Sequence, residues 1–261
     1  MIAGVLQFEP AWGVKDANFK KIESLCRNAK LDLLVLPELS TTGYLFLSKK
    51  ELSSHAEEFP GGETSSFLQE LSIKTGGFVV AGVAEKDEGI FYNSAVLFGR
   101  KGHMGTYRKV HLFSTEKKVF EPGNLGFPVF DIGVAKVGMM VCFDWIFPEA
   151  ARTLALSGAD IIAHPSNLVM PYCPDAASTR ALENNVFYLL SNRTGEERRK
   201  TLHLKFIGSS RIIGTKGEVL SSADKEERLL SCKIDPQKAR TKRITPQNDL
   251  FSDRRSDQYK L

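Results

Sequence analysis

Cysteine is scarce in this chain and shows no paired spacing. Four cysteines are spread over 261 residues, and none forms the C-x-x-C pair that zinc sites and dithiol redox centres use. They are also too few, in a chain of this length, for a disulfide framework. We therefore expect free thiols at Cys26, Cys142, Cys173 and Cys232.

Long hydrophobic runs are lacking as well. No stretch approaches the roughly 18 uninterrupted apolar residues of a membrane-spanning helix. The opening MIAGVLQFEP carries no basic segment of the kind that begins a secretory signal. The sequence thus predicts a cytoplasmic protein without a membrane partner.

A strong charge of one sign is the third absence. The net charge is +4, and basic residues cluster only in NRTGEERRK (192–200) and QKARTKR (237–243). Neither cluster has the interleaved aromatic residues of many nucleic-acid-binding surfaces, so a solvated loop or helix face is favoured over a nucleic-acid patch. We expect no nucleic acid partner.

What is present is a globular pattern of alternating strands and helices, with 42% hydrophobic and 25% charged residues. The apolar runs IAGVLQF and LDLLVLPE flank a segment with helical spacing, which predicts a β-α-β opening. NSAVLFG and RKGHMGTYRKV predict a hairpin with a Lys-Gly turn. VAKVGMMVCF predicts a strand, followed by a helix that starts near Pro148 and stops at Gly158.

The domain organisation follows from the same pattern. Several predicted strands are apolar on both faces, so other layers must cover both sides of them. The chain has no Ser/Gly/Pro-rich linker and no fixed-period repeat. We expect one α/β sandwich domain over residues 1–261, with helices outside. A polar tail, about 244–261, should pack on that domain or on a partner subunit.

Three predicted strand ends carry reactive side chains: Glu38, Lys109 and Cys142. Taken singly, each has an ordinary structural explanation, such as a small buried thiol at Cys142. Taken together, an acid, an ammonium and a thiol are the parts that nucleophilic catalysis needs, and the ends of strands in α/β sheets face ligand-binding crevices. A cysteine nucleophile and a structural cysteine are both open from spacing alone.

The blocks around these residues resemble one known family. LPELSTTGY, YRKVHLF with TEKKVFEPG, and GMMVCFDWIFPEAAR with GADIIAHPSN are similar, in order and spacing, to the nitrilase superfamily of carbon–nitrogen hydrolases. The similarity extends to AGVLQFEP and RALENNVFYLLSNRTG, so it covers nearly the whole chain. It implies an amidase-like enzyme with a four-layer α-β-β-α sandwich and no metal or organic cofactor.

The resemblance also implies a Glu-Lys-Cys triad on Glu38, Lys109 and Cys142. A second family glutamate, which holds the lysine, corresponds to Glu116; Glu121 is the nearby alternative. In the implied reaction Glu38 takes the thiol proton, Lys109 and the backbone N–H of Phe143 hold the oxyanion, and a thioester forms. We expect burial or coupling to raise the pKa of Glu38.

A conventional Cys-His pair is the alternative site. His111 and His164 lie in the neighbouring blocks and could partner the thiol, or simply line the pocket or satisfy a backbone carbonyl. The chain lacks a thiol-protease block such as C-G-S-C-W, so the Glu-Lys-Cys site is favoured.

The substrate is expected to be a small neutral amide. Aromatic residues flank the three blocks, and we select Tyr44, Phe143, Trp145 and Asn167 as substrate-binding residues. The five positions after Cys142 contain no arginine, unlike many relatives that act on carboxylate-bearing amides or ureido acids, although Arg180 or Arg193 could supply a charge. The block after the cysteine also lacks the Cys-Trp-Glu of many nitrilases, which favours an amidase and leaves nitrile hydrolysis as the nearest alternative.

Two other classes of protein remain open, a non-catalytic binding protein and an acyltransferase that resolves the thioester with an amine. Three reactive groups buried together speak against the first. The block containing Glu183 and Asn184 resembles a helix through which family members associate, which implies a homodimer or a larger assembly.

Overall fold

Two six-stranded sheets form the centre of the protein in the computed structural model, which describes residues 1–259. The strands are β1 (Ile2–Gln7), β2 (Leu33–Val35), β3 (Phe78–Asp87), β4 (Ile90–Gly99), β5 (Gly102–Arg108), β6 (Val129–Asp131), β7 (Lys136–Met139), β8 (Ile161–Ser166), β9 (Phe187–Asn192), β10 (Glu196–Arg199), β11 (Leu202–Lys205), β12 (Arg211–Ile213), β13 (Val219–Ser222), β14 (Arg228–Lys233), β15 (Arg243–Thr245) and β16 (Asn248–Asp249). The α-helices are α1 (Lys15–Leu25), α2 (Lys49–Ser53), α3 (Gly62–Thr75), α4 (Pro148–Leu156), α5 (Cys173–Asn184) and α6 (Gln237–Arg240), and 3-10 helices cover Ser114–Lys118, Cys142–Ile146 and Ser256–Gln258.

Each sheet has a parallel centre and antiparallel edges. The first runs β14-β1-β2-β3-β4-β5, with β1, β2 and β3 parallel. The second runs β13-β12-β9-β8-β7-β6, with β7, β8 and β9 parallel. The parallel strands point their carboxyl ends toward the same edge of each sheet, which is where ligand sites of α/β proteins form.

The side-chain alternation of the strands separates the layers. In β2, Leu33 and Val35 join the core between the two sheets, while Leu34 faces a second core beneath α1 and α3. Because successive strand residues point to opposite faces, a strand apolar throughout must be covered on both sides. Helices α4 and α5 cover the second sheet through residues such as Leu154 and Ala177. The chain is thus the four-layer α-β-β-α sandwich that the resemblance implied.

The structure differs from the sequence predictions at two places that matter for the site. β7 ends at Met139, so Cys142 does not end a strand but opens a 3-10 helix. The 192–200 cluster, expected as a solvated loop or helix face, contains strand β10 of the β10–β11 hairpin, in which Glu197 is buried. Both differences arise from hydrogen bonds to residues distant in the chain.

Other predicted elements are confirmed. β4 and β5 form the expected hairpin, but its turn lies at Arg100 and Lys101 and not at the predicted Lys-Gly pair, since Gly102 already pairs with Gly99. Helix α4 begins at Pro148, and Gly158 follows its end with a left-handed φ of 88°. Among the described residues, no helix is both long and apolar enough to cross a membrane.

The end of the chain lies beside α4 and α5 as far as it is described. Phe251 packs against the main core, with the Arg152 guanidinium 5.5 Å from its ring centre. The predicted 244–261 tail includes residues 260 and 261, which lie outside the described part of the chain.

Candidate active site

Glu38 lies just beyond the carboxyl end of β2 and is fully buried. The loop that carries it is held against β3, since Gly82 N donates to Pro37 O (3.2 Å) and Ser40 N donates to Gly82 O (3.0 Å). Oε1 of Glu38 accepts from Lys109 Nζ and from Asn93 Nδ2, both at 2.7 Å. Oε2 has no hydrogen-bond partner among residues 1–259, so one carboxylate oxygen is fixed and the other is unpaired there.

Lys109 follows the end of β5 and is also fully buried. Its Nζ donates to Glu116 Oε1 (2.8 Å) as well as to Glu38. Glu116 Oε1 also accepts from the Tyr44 hydroxyl (2.7 Å), and Oε2 accepts from Phe113 N (3.1 Å). Both Glu116 oxygens are therefore occupied. An ammonium has three donors, so Lys109 keeps one.

Glu121, the alternative to Glu116, lies at the surface. Its side chain is 49% exposed and pairs with Lys49 at 2.9 Å. Of the two glutamates in the TEKKVFEPG block, only Glu116 contacts Lys109 in the structure.

The turn at Cys142 is fixed by the residue two positions later. Cys142 has a φ of 43°, a left-handed conformation that is strained for a residue with a side chain. Asp144 is fully buried, and its Oδ2 accepts from Val141 N (2.8 Å) and from the Tyr107 hydroxyl (2.6 Å). Its Oδ1 accepts from the backbone N of His111 (3.2 Å) and pairs with the ring Nδ1 (2.8 Å). Asp144 thereby ties the Cys142 turn to the segment that carries Lys109.

The surroundings of Glu38, Lys109 and Cys142 strongly shift the pKa values of these side chains. Burial raises the pKa of Glu38, and the charge of Lys109 offsets this only in part. Burial also raises the pKa of the Cys142 thiol well above its usual range; the charge of Glu38 adds to this, while Lys109 and a hydrogen bond from the Asn167 backbone oppose it. Burial alone would lower the pKa of Lys109, but the charges of Glu116 and Glu38 outweigh it and hold the pKa high. The site at rest therefore holds an ammonium and a protonated thiol.

The two histidines are engaged elsewhere. His164 lies within β8, not at its end as expected, and its Nε2 donates to the Cys142 carbonyl oxygen (2.9 Å). A carbonyl can only accept, so in the neutral ring Nδ1 accepts from the Tyr188 hydroxyl (2.9 Å). Burial lowers the pKa of His164 to about 4, which keeps the ring neutral at pH 7. His111 pairs with Asp144 and stacks on Phe147, with ring centres 3.7 Å apart. Neither ring hydrogen-bonds to the sulfur among the described residues.

A small cavity of about 20 Å³ opens beside Cys142. It is lined by Phe113, Cys142, Phe143, Trp145, Asn167, Leu168, Val169 and Met170. Three of the four expected substrate-binding residues lie in this wall. The fourth, Tyr44, is buried behind it, with its hydroxyl on Glu116.

The cavity wall is uncharged. Neither arginine named from the sequence is among the lining residues: Arg180 pairs with Glu183 at 3.1 Å, and Arg193 pairs with Glu197 at 2.6 Å. Within residues 1–259, no group of three or more His, Cys, Asp or Glu side chains is arranged to hold a metal ion.

Sequence reasoning missed Asn93, Tyr107 and Asp144. Asn93 lies 55 residues from Glu38 in the chain, and Tyr107 lies 37 residues from Asp144. The one local signal was an acidic residue two positions after a candidate nucleophile, in a stretch that is otherwise apolar.

Comparisons with known proteins agree with this geometry. The family model described as "Carbon-nitrogen hydrolase" matches residues 2–244. The chain is 52% identical over 258 residues to a protein named nitrilase from Pyrococcus abyssi, covering 97% of both chains. It is 33% identical over 252 residues to N-carbamoylputrescine amidase of Solanum lycopersicum, covering 88% of this chain and 83% of that protein.

Solved structures show the same architecture. A carbon–nitrogen hydrolase from Helicobacter pylori G27 superposes with a TM-score of 0.83 at 30% identity, covering 92% of this chain and 90% of that one. An amidase from Nesterenkonia sp. superposes with a TM-score of 0.81 at 24% identity, covering 98% and 94%, and supports the fold alone.

Proposed function

Because the chain belongs to the carbon–nitrogen hydrolase family, we propose that it hydrolyses small uncharged amides to a carboxylic acid and ammonia through a thioester on Cys142. It is an enzyme of the nitrilase superfamily, with Cys142 in a 3-10 helix at the expected catalytic position. The observation that carries the proposal is the unequal pair of carboxylates around Lys109: Glu38 has a free oxygen and Glu116 has none.

In the first half-reaction the Cys142 sulfur attacks the amide carbon while its proton passes to Oε2 of Glu38. The raised pKa of the thiol supports transfer during the attack, since a preformed thiolate is disfavoured. The remaining Nζ–H of Lys109 and the backbone N–H of Phe143 stabilise the oxyanion. Glu38 then gives its proton to the leaving nitrogen, and the C–N bond breaks. Ammonia departs, and the acyl group remains on Cys142 as a thioester.

In the second half-reaction water replaces ammonia. Glu38 takes a proton from the water as its oxygen attacks the thioester carbon, and the same donors hold the second oxyanion. The C–S bond then breaks, the proton returns to the sulfur, and the acid leaves. Glu116 supports both steps by holding Lys109 charged and in place, with no proton transfer of its own.

Nitrile hydrolysis is the second candidate. The relative from Pyrococcus abyssi, at 52% identity, is named nitrilase, and the same thiol could attack a nitrile carbon. The uncharged cavity wall favours neutral substrates of either kind over dicarboxylate monoamides and ureido acids.

The test is ammonia release from a panel of short aliphatic amides, dicarboxylate monoamides, ureido acids and nitriles, with Cys142→Ala and Glu38→Gln as matched variants. We expect release from neutral amides, lowered by at least about 10³-fold in each variant. Release mainly from nitriles would replace the amidase assignment with the second candidate. Full activity in Glu38→Gln would refute the proton transfer, and amide products formed with added amines would instead indicate an acyltransferase.

A further inference from the structure

Asn167 has a side chain that the proposed chemistry does not use. The residue is 3% exposed and lines the cavity beside Cys142, yet among residues 1–259 neither Nδ2 nor Oδ1 has a hydrogen-bond partner. A buried amide without partners is destabilising. An uncompensated polar group of this kind in a cavity indicates that something else supplies the partner.

The backbone on both sides of Asn167 is held by hydrogen bonds. The Ser166 carbonyl accepts from Arg193 N (3.1 Å) on one side, and Leu168 N donates to Asn192 Oδ1 (2.8 Å) on the other. Leu168 O also accepts from Ile207 N (3.0 Å). The Asn167 backbone is therefore fixed while its amide is buried in the cavity wall, an arrangement that favours a preorganised contact with a substrate group.

The position of Asn167 relative to the sulfur limits which part of a substrate it can reach. The Asn167 backbone N–H lowers the pKa of the Cys142 thiol, and the two residues line the same small cavity. An acyl group bound to the sulfur through its carbonyl carbon enters that cavity with its first carbons, and we assign to Asn167 the first or second carbon beyond the carbonyl. The leaving nitrogen and the oxyanion already have other partners in the proposed mechanism.

The other residues of the cavity wall restrict which kind of substrate group could contact the Asn167 amide. The other lining residues beyond Cys142 are aromatic or aliphatic: Phe113, Phe143, Trp145, Leu168, Val169 and Met170. The small cavity volume, about 20 Å³, favours a compact polar substituent such as a hydroxyl over a larger one. An amide offers one donor group and one acceptor, which match a neutral hydroxyl better than an ion.

We propose that the Asn167 side chain is a specificity determinant that selects small amides with a neutral hydroxyl on the second or third carbon. This rests on the amide hydrolysis proposed above and names its substrate class. The discrimination arises because an unsubstituted acyl chain leaves the buried amide unpaired, whereas a hydroxyl pairs with it.

The test compares substrates of matched size. Each enantiomer of 2-hydroxypropanamide is compared with 2-methylpropanamide, and 3-hydroxypropanamide with butanamide, by kcat/KM. In the wild type we expect one hydroxyl substrate to exceed its methyl counterpart by at least about tenfold. In Asn167→Leu, a near-isosteric change, that ratio should fall by at least about tenfold.

Val169→Ala is the matched control, since it alters the same wall without removing the amide. We expect its ratio to stay within about threefold of the wild-type value. The wild-type ratios test the inference even if Asn167→Leu fails to fold, and Asn167→Ala provides a second variant. Ratios near one in the wild type, or a ratio unchanged in folded Asn167→Leu, would overturn the role of Asn167 alone. No hydrolysis of any of these amides would overturn the proposed function and this inference with it.

Discussion

We expect the reactivity of the Cys142 thiol to depend on the unpaired Oε2 of Glu38 as the acceptor of its proton. The thiol is 5% exposed and its pKa is raised by burial, so it reacts only if something removes its proton. Cys26 and Cys173 are also buried, and burial raises the pKa of both thiols, that of Cys26 to about 12, with no contribution from a neighbouring carboxylate within the described part of the chain. Proximity to Glu38 is thus what distinguishes Cys142 from the other buried thiols.

This difference predicts the outcome of alkylation by iodoacetamide, which is itself a small amide. With the half-exposed Cys232 replaced by serine, we expect Cys142 to be modified faster than Cys26 and Cys173. Glu38→Gln should slow that modification by at least about tenfold, because glutamine cannot accept the proton. Peptide mass spectrometry over time measures each site. Equal rates at Cys142 with and without Glu38 would contradict the assignment of the base.

The element that positions Glu38 is β3, through a glycine. A Cβ at Gly82 would lie 2.3 Å from the Glu38 Cα and 2.7 Å from the Pro37 oxygen, and both obstacles are backbone. No side chain can move aside to admit it. The close contact between strand and loop therefore requires glycine, and it fixes the height of Glu38 above the sheet.

Gly82→Ala should accordingly displace Glu38 and lower kcat by about 100-fold, the size of effect expected for a shift on the order of 1 Å. Gly99→Ala in β4 is the control, since its Cβ would meet only the side chains of Phe78 and Met104 at 3.0–3.1 Å, which can move. We expect that variant to keep activity within about threefold. Steady-state kinetics on both, with thermal unfolding to verify folding, makes the comparison. A folded Gly82→Ala enzyme with wild-type kcat would show that the contact does not position the carboxylate.

The strands and helices differ in how well the sequence alone predicts them. β2, the β4–β5 hairpin and α4 were predictable, because alternating burial and terminal Pro and Gly are local signals. The 3-10 turn at Cys142 was not, because Asp144 holds it through Tyr107 and His111, 37 and 33 residues away. A run of apolar residues followed by Cys142 carries no sign of those contacts, so it predicted a longer strand.

The β10–β11 hairpin was not predicted, for a related reason. All four residues of β10 are charged, and composition alone assigns such residues to solvent. Glu197 is nevertheless buried, because it pairs with Arg193 and accepts from the backbone N of Tyr44. The individual site residues could be predicted from the matched sequence blocks. Their hydrogen-bonding partners, such as Asn93 on Glu38 and the Tyr44 hydroxyl on Glu116, are visible only in the folded chain.

One side of the sandwich has a groove in which exposed apolar residues stand among charged ones. A groove of about 670 Å³ runs between α4, α5 and the end of the chain, and Ile244 and Tyr259 in its wall are 54% and 47% exposed. Leu182 of α5, adjacent to the lining residue Glu183, is 49% exposed. Apolar side chains that are exposed and surrounded by polar residues are typical of association surfaces.

This face leads us to propose that the protein is a homodimer or a larger assembly joined through α5 and the end of the chain. Sedimentation should then give at least about twice the chain mass of 29.0 kDa. Ile244→Glu should shift the population toward monomer, because association would have to bury an unpaired charge. Ile73→Glu is the matched control, since Ile73 is 55% exposed on α3, in the layer that covers the other sheet, and its charge would stay in solvent. A monomer in the wild type, or equal dissociation in the two variants, would remove this face as the interface and leave its apolar residues as ordinary surface.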